Sequence, residues 1–147
     1  MIKKILVPLD GSNLAAKALP YAEELADKFE AELIFLWVLH PMMHFAEDAV
    51  EVYEAIRKKE HEEATTYLRT AQLTPDRPHL QPVTKILEGP IAQTIIDLAK
   101  EENVDLIVMS THGRSGIGRW VYGSVATKVL QHASCPVYLV RATEDDE

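Results

Sequence analysis

Two stretches of the chain carry chemically capable residue types, and the first looks built to hold phosphate. The first, Ser110-Thr-His-Gly-Arg-Ser-Gly-Ile-Gly-Arg119 with its continuation Gly123-Ser124, is rich in glycine and lies between two apolar runs. Glycine lets backbone N–H groups come close to a ligand with no Cβ in the way. A helix that follows such a turn offers unpaired N–H donors and the positive end of its dipole to an anion. Charge points the same way. No Asp or Glu occurs between Asp105 and Glu144, whereas Arg114, Arg119, Lys128 and Arg141 all do, in a chain of formal net charge −8. The second stretch is Asp10-Gly11-Ser12, at the end of the first apolar run. A carboxylate beside a phosphate needs a cation or a hydroxyl as partner, and its place beside a candidate phosphate favours a functional role for Asp10. A plain reading stands beside each: the glycines could serve only a sharp turn, and Asp10 could merely cap a turn with Ser12.

The elements that must position these stretches alternate between strand and helix. Ile2 to Leu9 reads as a strand running into Asp10-Gly11-Ser12. Ser12 or Asn13 can cap a helix whose apolar stripe is Leu14, Ala18, Ala22, Leu25 and Phe29, with Pro20 expected to kink it locally. Ala31 to Val38 is a second strand, apolar enough for both faces to be covered. Leu39 to Ala46 has no period and reads as a loop. Glu47 to about Gln72 turns helical, with Ala49, Tyr53, Ile56, Ala64, Tyr67, Leu68 and Ala71 as its stripe, and Lys58 to Glu63 is a solvated face. Thr74 to Pro82 holds three prolines and is a connector. Val83 to Leu87 is a third strand. A helix starts at Gly89-Pro90 with Ile91, Ile95, Leu98 and Ala99 on one face. Val104 to Met109 is strand four, Val121 to Ala133 a helix with Ser124 as a natural N-cap, and Val137 to Val140 strand five. The acidic tail from Thr143 to Glu147 is expected to fray. This order calls for an α/β sheet with right-handed crossovers and helices on both faces. Ligands in open sheets of that class sit beyond the carboxyl ends of the strands, where strand order reverses.

Totals bound the rest. The 147 residues fit one domain, and hydrophobic and charged fractions of 47% and 26% are those of a globular protein. The acidic balance argues against nucleic acid as a partner, since its phosphates demand a basic face. No run of about 18 apolar residues spans a membrane and no leader opens the chain, so a cytoplasmic protein is expected. The one cysteine, Cys135, cannot pair internally and precedes Pro136, where it reads as a buried small hydrophobe. His40 and His44 flank Pro41, which disfavours one helical face and a zinc site.

Two familiar phosphate signatures fail on spacing. A dinucleotide fingerprint begun at Gly116-Ile-Gly118 would need a small residue where Val121 stands. A P-loop begun at Gly113 and Gly118 has Arg119-Trp120 in place of Lys-Ser/Thr.

A third pattern matches over nearly the whole chain. Ile5-Leu-Val-Pro-Leu-Asp10-Gly-Ser12, Val108-Met-Ser-Thr-His-Gly113-Arg-Ser-Gly116, Gly123-Ser-Val-Ala126 and Cys135-Pro-Val-Tyr-Leu-Val140, in that order, resemble the universal stress protein family. The resemblance implies a Rossmann-like, open five-stranded parallel sheet in the order 3-2-1-4-5, with ATP bound in one branch of the family between the first and fourth strand ends. That branch carries G-x-x-G, nine residues, then G-S/T; here Gly113, the nine residues Arg114 to Tyr122, and Gly123-Ser124 match, while Ser110 replaces the first glycine. Carried over by position, Pro8 lines the adenine side and Asp10 meets the ribose or a metal near the phosphates, with Leu9 and Ser12 in the same cofactor-binding set. The backbone of Val38 reads the adenine edge. Gly113, Arg114, Ser115 and Gly116 wrap the phosphates, Gly123, Ser124 and Val125 close on them, and Met109, Ser110 and His112 belong to the same cofactor-binding set. Magnesium or manganese with the phosphates fits the same scheme, and ATP or another adenine nucleotide is the implied cofactor.

No nucleophile elbow, metal cluster or evident base is present, so no catalytic residue is assigned and a regulatory switch is expected before an enzyme. His112 reads as a hydrogen-bonding member of the loop and Trp120 as its anchor. The alternatives are a dimeric interaction module that acts through partner proteins without nucleotide, and a slow ATPase or nucleotidyl-transfer enzyme. The family resemblance also implies a homodimer through Val137 to Val140, an apolar edge that needs cover.

Overall fold

In the computed structural model the sheet has five parallel strands in the order β3-β2-β1-β4-β5, and the structure describes residues 1–41, 49–113 and 122–143. The elements are β1 (Lys4–Pro8), α1 (Asn13–Ala16), α2 (Ala18–Phe29), β2 (Glu32–Leu39), α3 (Val50–Ala71), β3 (Val83–Glu88), α4 (Ile91–Glu101), β4 (Leu106–Ser110), α5 (Ser124–His132) and β5 (Val137–Val140). The chain winds outward from β1 to β3, then crosses back to lay β4 on the other side of β1. Strand order therefore reverses between β1 and β4.

Alternation along the strands splits the core into two layers. Ile5, Val7, Leu9, Leu33, Phe35, Trp37, Leu106 and Val108 face α2 and α3. Leu6, Ile34, Leu36, Ile107 and Met109 face α4 and α5. Phe35, Ile5, Leu6 and Ile107 are fully buried, each worth about 1.5–3 kcal/mol by burial.

Four helix expectations are corrected. The predicted kink at Pro20 lies instead at Lys17, which separates α1 from α2. The proline ring excludes the carbonyl four residues earlier, that of Ala16, and cannot donate to it, so the helix breaks there. Pro20 then falls in the first turn of α2, where an N–H has no intrahelical partner to lose. The stripe of α2 is Ala18, Ala22 and Ala26, all fully buried, and Phe29 is 48% exposed. In α3, Ala64 and Leu68 are buried, whereas Ile56 is exposed. Glu47 and Asp48, expected to begin that helix, lie outside the described residues, as do the acidic residues 144–147. Pro90 occupies the N-cap position of α4 rather than its first turn.

The amino ends of the strands are stitched by charge. The Asp105 carboxylate accepts the backbone N–H groups of Lys3 and Lys4 at 2.8 and 3.0 Å, which hold it below the usual carboxylate range. Glu102 accepts from Lys85 Nζ at 2.9 Å and pairs with Lys4 at 3.6 Å. These bonds tie β1, β3 and the end of α4 together at the edge opposite the switch point.

Candidate functional site

The carboxyl ends of β1 and β4 bring the two chemistry-bearing stretches together. Asp10 closes a tight turn on its own chain: its Oδ1 accepts the Ser12 N–H at 2.9 Å and the Ser12 hydroxyl at 2.5 Å. The Ser12 hydroxyl in turn accepts the N–H of Ala15 at 3.1 Å, which makes Ser12 the N-cap of α1. The other carboxylate oxygen faces Gly113. A Cβ built on Gly113 would stand 2.5 Å from Asp10 Oδ2, well inside contact distance. Any side chain at this position would force the carboxylate or the loop to shift, so glycine suits the close approach of the loop after β4.

Thr111 sets the position of that loop. Its N–H donates to Val140 O at 2.9 Å, and its own carbonyl accepts the Gly123 N–H at 2.9 Å. Its hydroxyl accepts the Ala142 N–H at 3.0 Å and shares a 3.1 Å hydrogen bond with His112 Nδ1. One buried threonine thus joins the end of β4, the end of β5 and the start of α5. His112 is buried within this network. The Ser110 hydroxyl donates to the His112 carbonyl.

Ser110 is the last residue of β4 and its φ is not positive. The backbone at that place therefore makes no demand that only glycine could meet. At the start of α5 the cap expectation is corrected: Gly123 is the N-cap, no side chain caps the turn, and Ser124 is the first helical residue. A Cβ on Gly123 would lie 3.2 Å from the Thr111 carbonyl oxygen, so the close packing of loop and helix favours glycine over serine there. Among the described residues no side chain caps this first turn, a setting that suits an anion.

The remaining residues of the reading form an apolar side. Val38, Met109 and Val125 belong to the layer that faces α4 and α5, and strand alternation puts Pro8 on the same face. Leu9 is buried and its N–H donates to Leu36 O at 2.8 Å. In a parallel strand alternate residues turn their N–H and C=O the same way. Val38, two residues beyond Leu36, therefore directs its backbone toward the β1 side, past the point where β1 ends at Pro8. β2 runs one residue beyond Val38, to Leu39, whose carbonyl accepts the Gly89 N–H at 3.0 Å on the β3 side. Arg114, Ser115, Gly116 and Trp120, and likewise His44, lie outside the described residues.

Sequence reasoning did not single out Thr111, Tyr67 or Arg57 for the site. Tyr67, on α3, packs edge-on against Trp37 with ring centroids 5.5 Å apart. Burial, and then the negative charge of Asp10, push its phenol above the ordinary range. Thr111 stood between two assigned residues and could have been read as a polar strand end. Nothing local marks Tyr67 or Arg57, whose partners are distant in sequence.

Among the described residues, no group of three or more His, Cys, Asp or Glu side chains could hold a metal ion, and no helix is long and apolar enough to cross a membrane. Two shallow depressions lie elsewhere. One of about 380 Å³ is lined by Asp27, Glu32, Leu33 and His79 at the amino end of β2. Another of about 390 Å³ lies between Tyr21 and Arg141 beside β5. Neither includes a residue of the two chemistry-bearing stretches, and the strand-end geometry outweighs them as a guide to a ligand. Cys135, expected to be buried, is half-buried, and desolvation raises its thiol above the usual value.

Comparison with known proteins agrees with this architecture. The model of the universal stress protein family matches residues 1–141. A universal stress protein of Methanocaldococcus jannaschii is 34% identical over 144 residues, covering 96% of this chain and 83% of that protein. The structure of universal stress protein UspA from Lactobacillus plantarum superposes with a TM-score of 0.87 at 29% identity, over 95% of this chain and 97% of that one. Two structures share the fold at lower identity. One is a universal stress protein in complex with cAMP, at 22% identity and a TM-score of 0.72, covering 96% of this chain and 98% of its own. The other is an Arabidopsis thaliana family protein with AMP bound, at 17% identity and a TM-score of 0.69, covering 98% and 94%. With its motifs, its strand order and its relatives in accord, the chain belongs to the universal stress protein family.

Proposed function

We propose that this chain binds an adenine nucleotide, ATP in the first instance, across the carboxyl ends of β1 and β4 and acts as a regulatory switch. The observation that carries the reading is the approach of Gly113 to the Asp10 carboxylate. It joins a carboxylate suited to a ribose hydroxyl, or to magnesium or manganese at the phosphates, to a loop that leads toward an uncapped helix N-terminus. Val38 supplies backbone groups on the same side, and Pro8, Met109 and Val125 supply apolar surface for a base. Relatives with AMP and cAMP make adenine nucleotides the class to test.

A holding role fits better than turnover. Asp10 Oδ1 already accepts two hydrogen bonds from Ser12, which favours a carboxylate that positions a ligand over one that takes a proton. The test is to identify any co-purifying nucleotide by mass, then titrate the wild type and Gly113→Val with ATP, AMP and cAMP. Binding by the wild type that the variant loses is expected. A wild type that binds none of the three overturns the reading.

A further inference from the structure

The end of β2 is an overhang. β1 stops at Pro8, opposite Leu36, so Val38 and Leu39 have a strand neighbour only in β3, where they pair with Leu87 and Glu88. Among the described residues no strand pairs with the edge of β2 that faces β1 at this level, and a backbone that reads a base must hold its place there without one.

Arg57 braces that overhang. From α3 its Nη2 donates to the His40 carbonyl at 2.8 Å, just past the end of β2, and to Glu88 Oε1 at 3.1 Å, at the end of β3. Its Nη1 donates to Glu60 Oε2 at 3.2 Å, one turn along α3. One guanidinium thereby links three elements at the rim of the candidate site, and its side chain is only 15% exposed. Its Nε is buried and has no hydrogen-bond partner among the described residues, so the side chain is placed for its outer nitrogens at the cost of an inner one. Two carboxylates against one cation leave no net positive charge for a phosphate, which argues for a brace rather than a ligand contact. Only the fork of an arginine can serve the carbonyl and both carboxylates at once; the point charge of a lysine cannot.

We infer that Arg57 is the positioning residue that sets base selectivity, by fixing the overhang of β2 so that Val38 presents its backbone in one register. This rests on the adenine-nucleotide reading above. Adenine offers an amino donor beside a ring acceptor, and guanine offers the reverse, so a C=O and N–H held in fixed order favour the first and repel the second. A strand end free to shift by about an ångström loses that distinction.

The experiment measures the dissociation constants of ATP and GTP, together with the unfolding temperature, for wild type, Arg57→Gln, Arg57→Lys and Lys85→Met. Lys85→Met breaks the bond to Glu102, midway along β3 and on none of Arg57's partners, and reports what simple loss of stability does. Arg57→Gln is expected to weaken ATP binding about tenfold or more and to bring the ATP-to-GTP ratio close to one. Arg57→Lys should show the same direction, and it carries the test if Arg57→Gln does not fold. Lys85→Met should leave the ratio at its wild-type value. A wild-type ratio in the Arg57 variants, or an equal loss in Lys85→Met, overturns the inference while leaving the nucleotide reading intact. A wild type that binds neither nucleotide overturns both.

Discussion

Gly113 rests against the carboxylate of Asp10, so closely that a methyl group in place of its α-hydrogen would stand 2.5 Å from Oδ2. The two residues are far apart in the chain and meet because β1 and β4 are neighbours in the sheet. Gly113→Ala should therefore overpack this contact and destabilise the protein by about 1–3 kcal/mol. In an Asp10→Ala background the added methyl has room, and the cost should shrink to a few tenths of a kcal/mol. Urea unfolding of the four variants gives the coupling directly. Equal costs in both backgrounds would show that the contact is not the reason for glycine.

Tyr67 reports on the same carboxylate from α3. Burial raises its phenol, and the charge of Asp10 raises it further. The ordinary value for tyrosine is about 10. Asp10→Asn should lower the Tyr67 transition in an ultraviolet titration without abolishing the shift, since burial is the larger cause. An Asp10→Asn titration that overlays the wild type would place Tyr67 out of reach of the site.

Much of this was legible in the chain because buried parallel strands write themselves as continuous apolar runs. Ile5 to Leu9, Leu33 to Leu39 and Leu106 to Met109 are of that kind, and the glycine stretch between β4 and α5 falls where the topology puts ligands. What was not legible depended on backbone geometry or on distant partners. Proline marks a break, but the break comes at Lys17, next to the clashing carbonyl of Ala16. Phe29 has the right spacing for the α2 stripe, but that helix lies on the sheet through Ala18, Ala22 and Ala26, and only small side chains allow so close an approach. Gly123 rather than Ser124 is the N-cap of α5, and a Cβ there would crowd the Thr111 carbonyl at 3.2 Å, a contact between segments that the local sequence does not show. Arg57 stands just before the charged run Lys58 to Glu63, with nothing in the sequence to set it apart, and its partners His40 and Glu88 lie 17 and 31 residues away.

The proline-rich connector is held to α2 by charge, and that clasp should fail in acid. His79 Nε2 lies 2.5 Å from Asp27 Oδ1 and Arg77 Nε lies 3.6 Å from Oδ2. The bond to His79, and then the charges of His79 and Arg77, hold Asp27 below the usual carboxylate range. A depressed acid contributes stability that is fully present above its unfolded value of about 3.9 and is lost as pH falls through the folded value. The group is exposed, so the effect should weaken in high salt. Carboxyl NMR of His79→Ala should show the Asp27 titration moving up toward 3.9. An unmoved titration would mean that the contact does not persist in solution.

The open edge of β5 offers a cleaner test of assembly than its composition does. Ile107 N–H donates to Pro136 O at 3.0 Å and Thr111 N–H to Val140 O at 2.9 Å. Residues 136, 138 and 140 therefore turn their backbone groups toward β4, and alternation turns those of Val137 and Leu139 outward. An outward row of unpaired groups on an apolar edge favours pairing with a second copy of the strand, the homodimer proposed from the family resemblance. Leu139→Pro removes one outward N–H and none that β4 uses, a place where a strand accepts proline. The wild type should sediment as a dimer at micromolar concentration, and Leu139→Pro as a monomer whose circular dichroism matches the wild type. A dimer that survives Leu139→Pro would assign the interface to another surface, and a wild-type monomer would remove the dimer altogether.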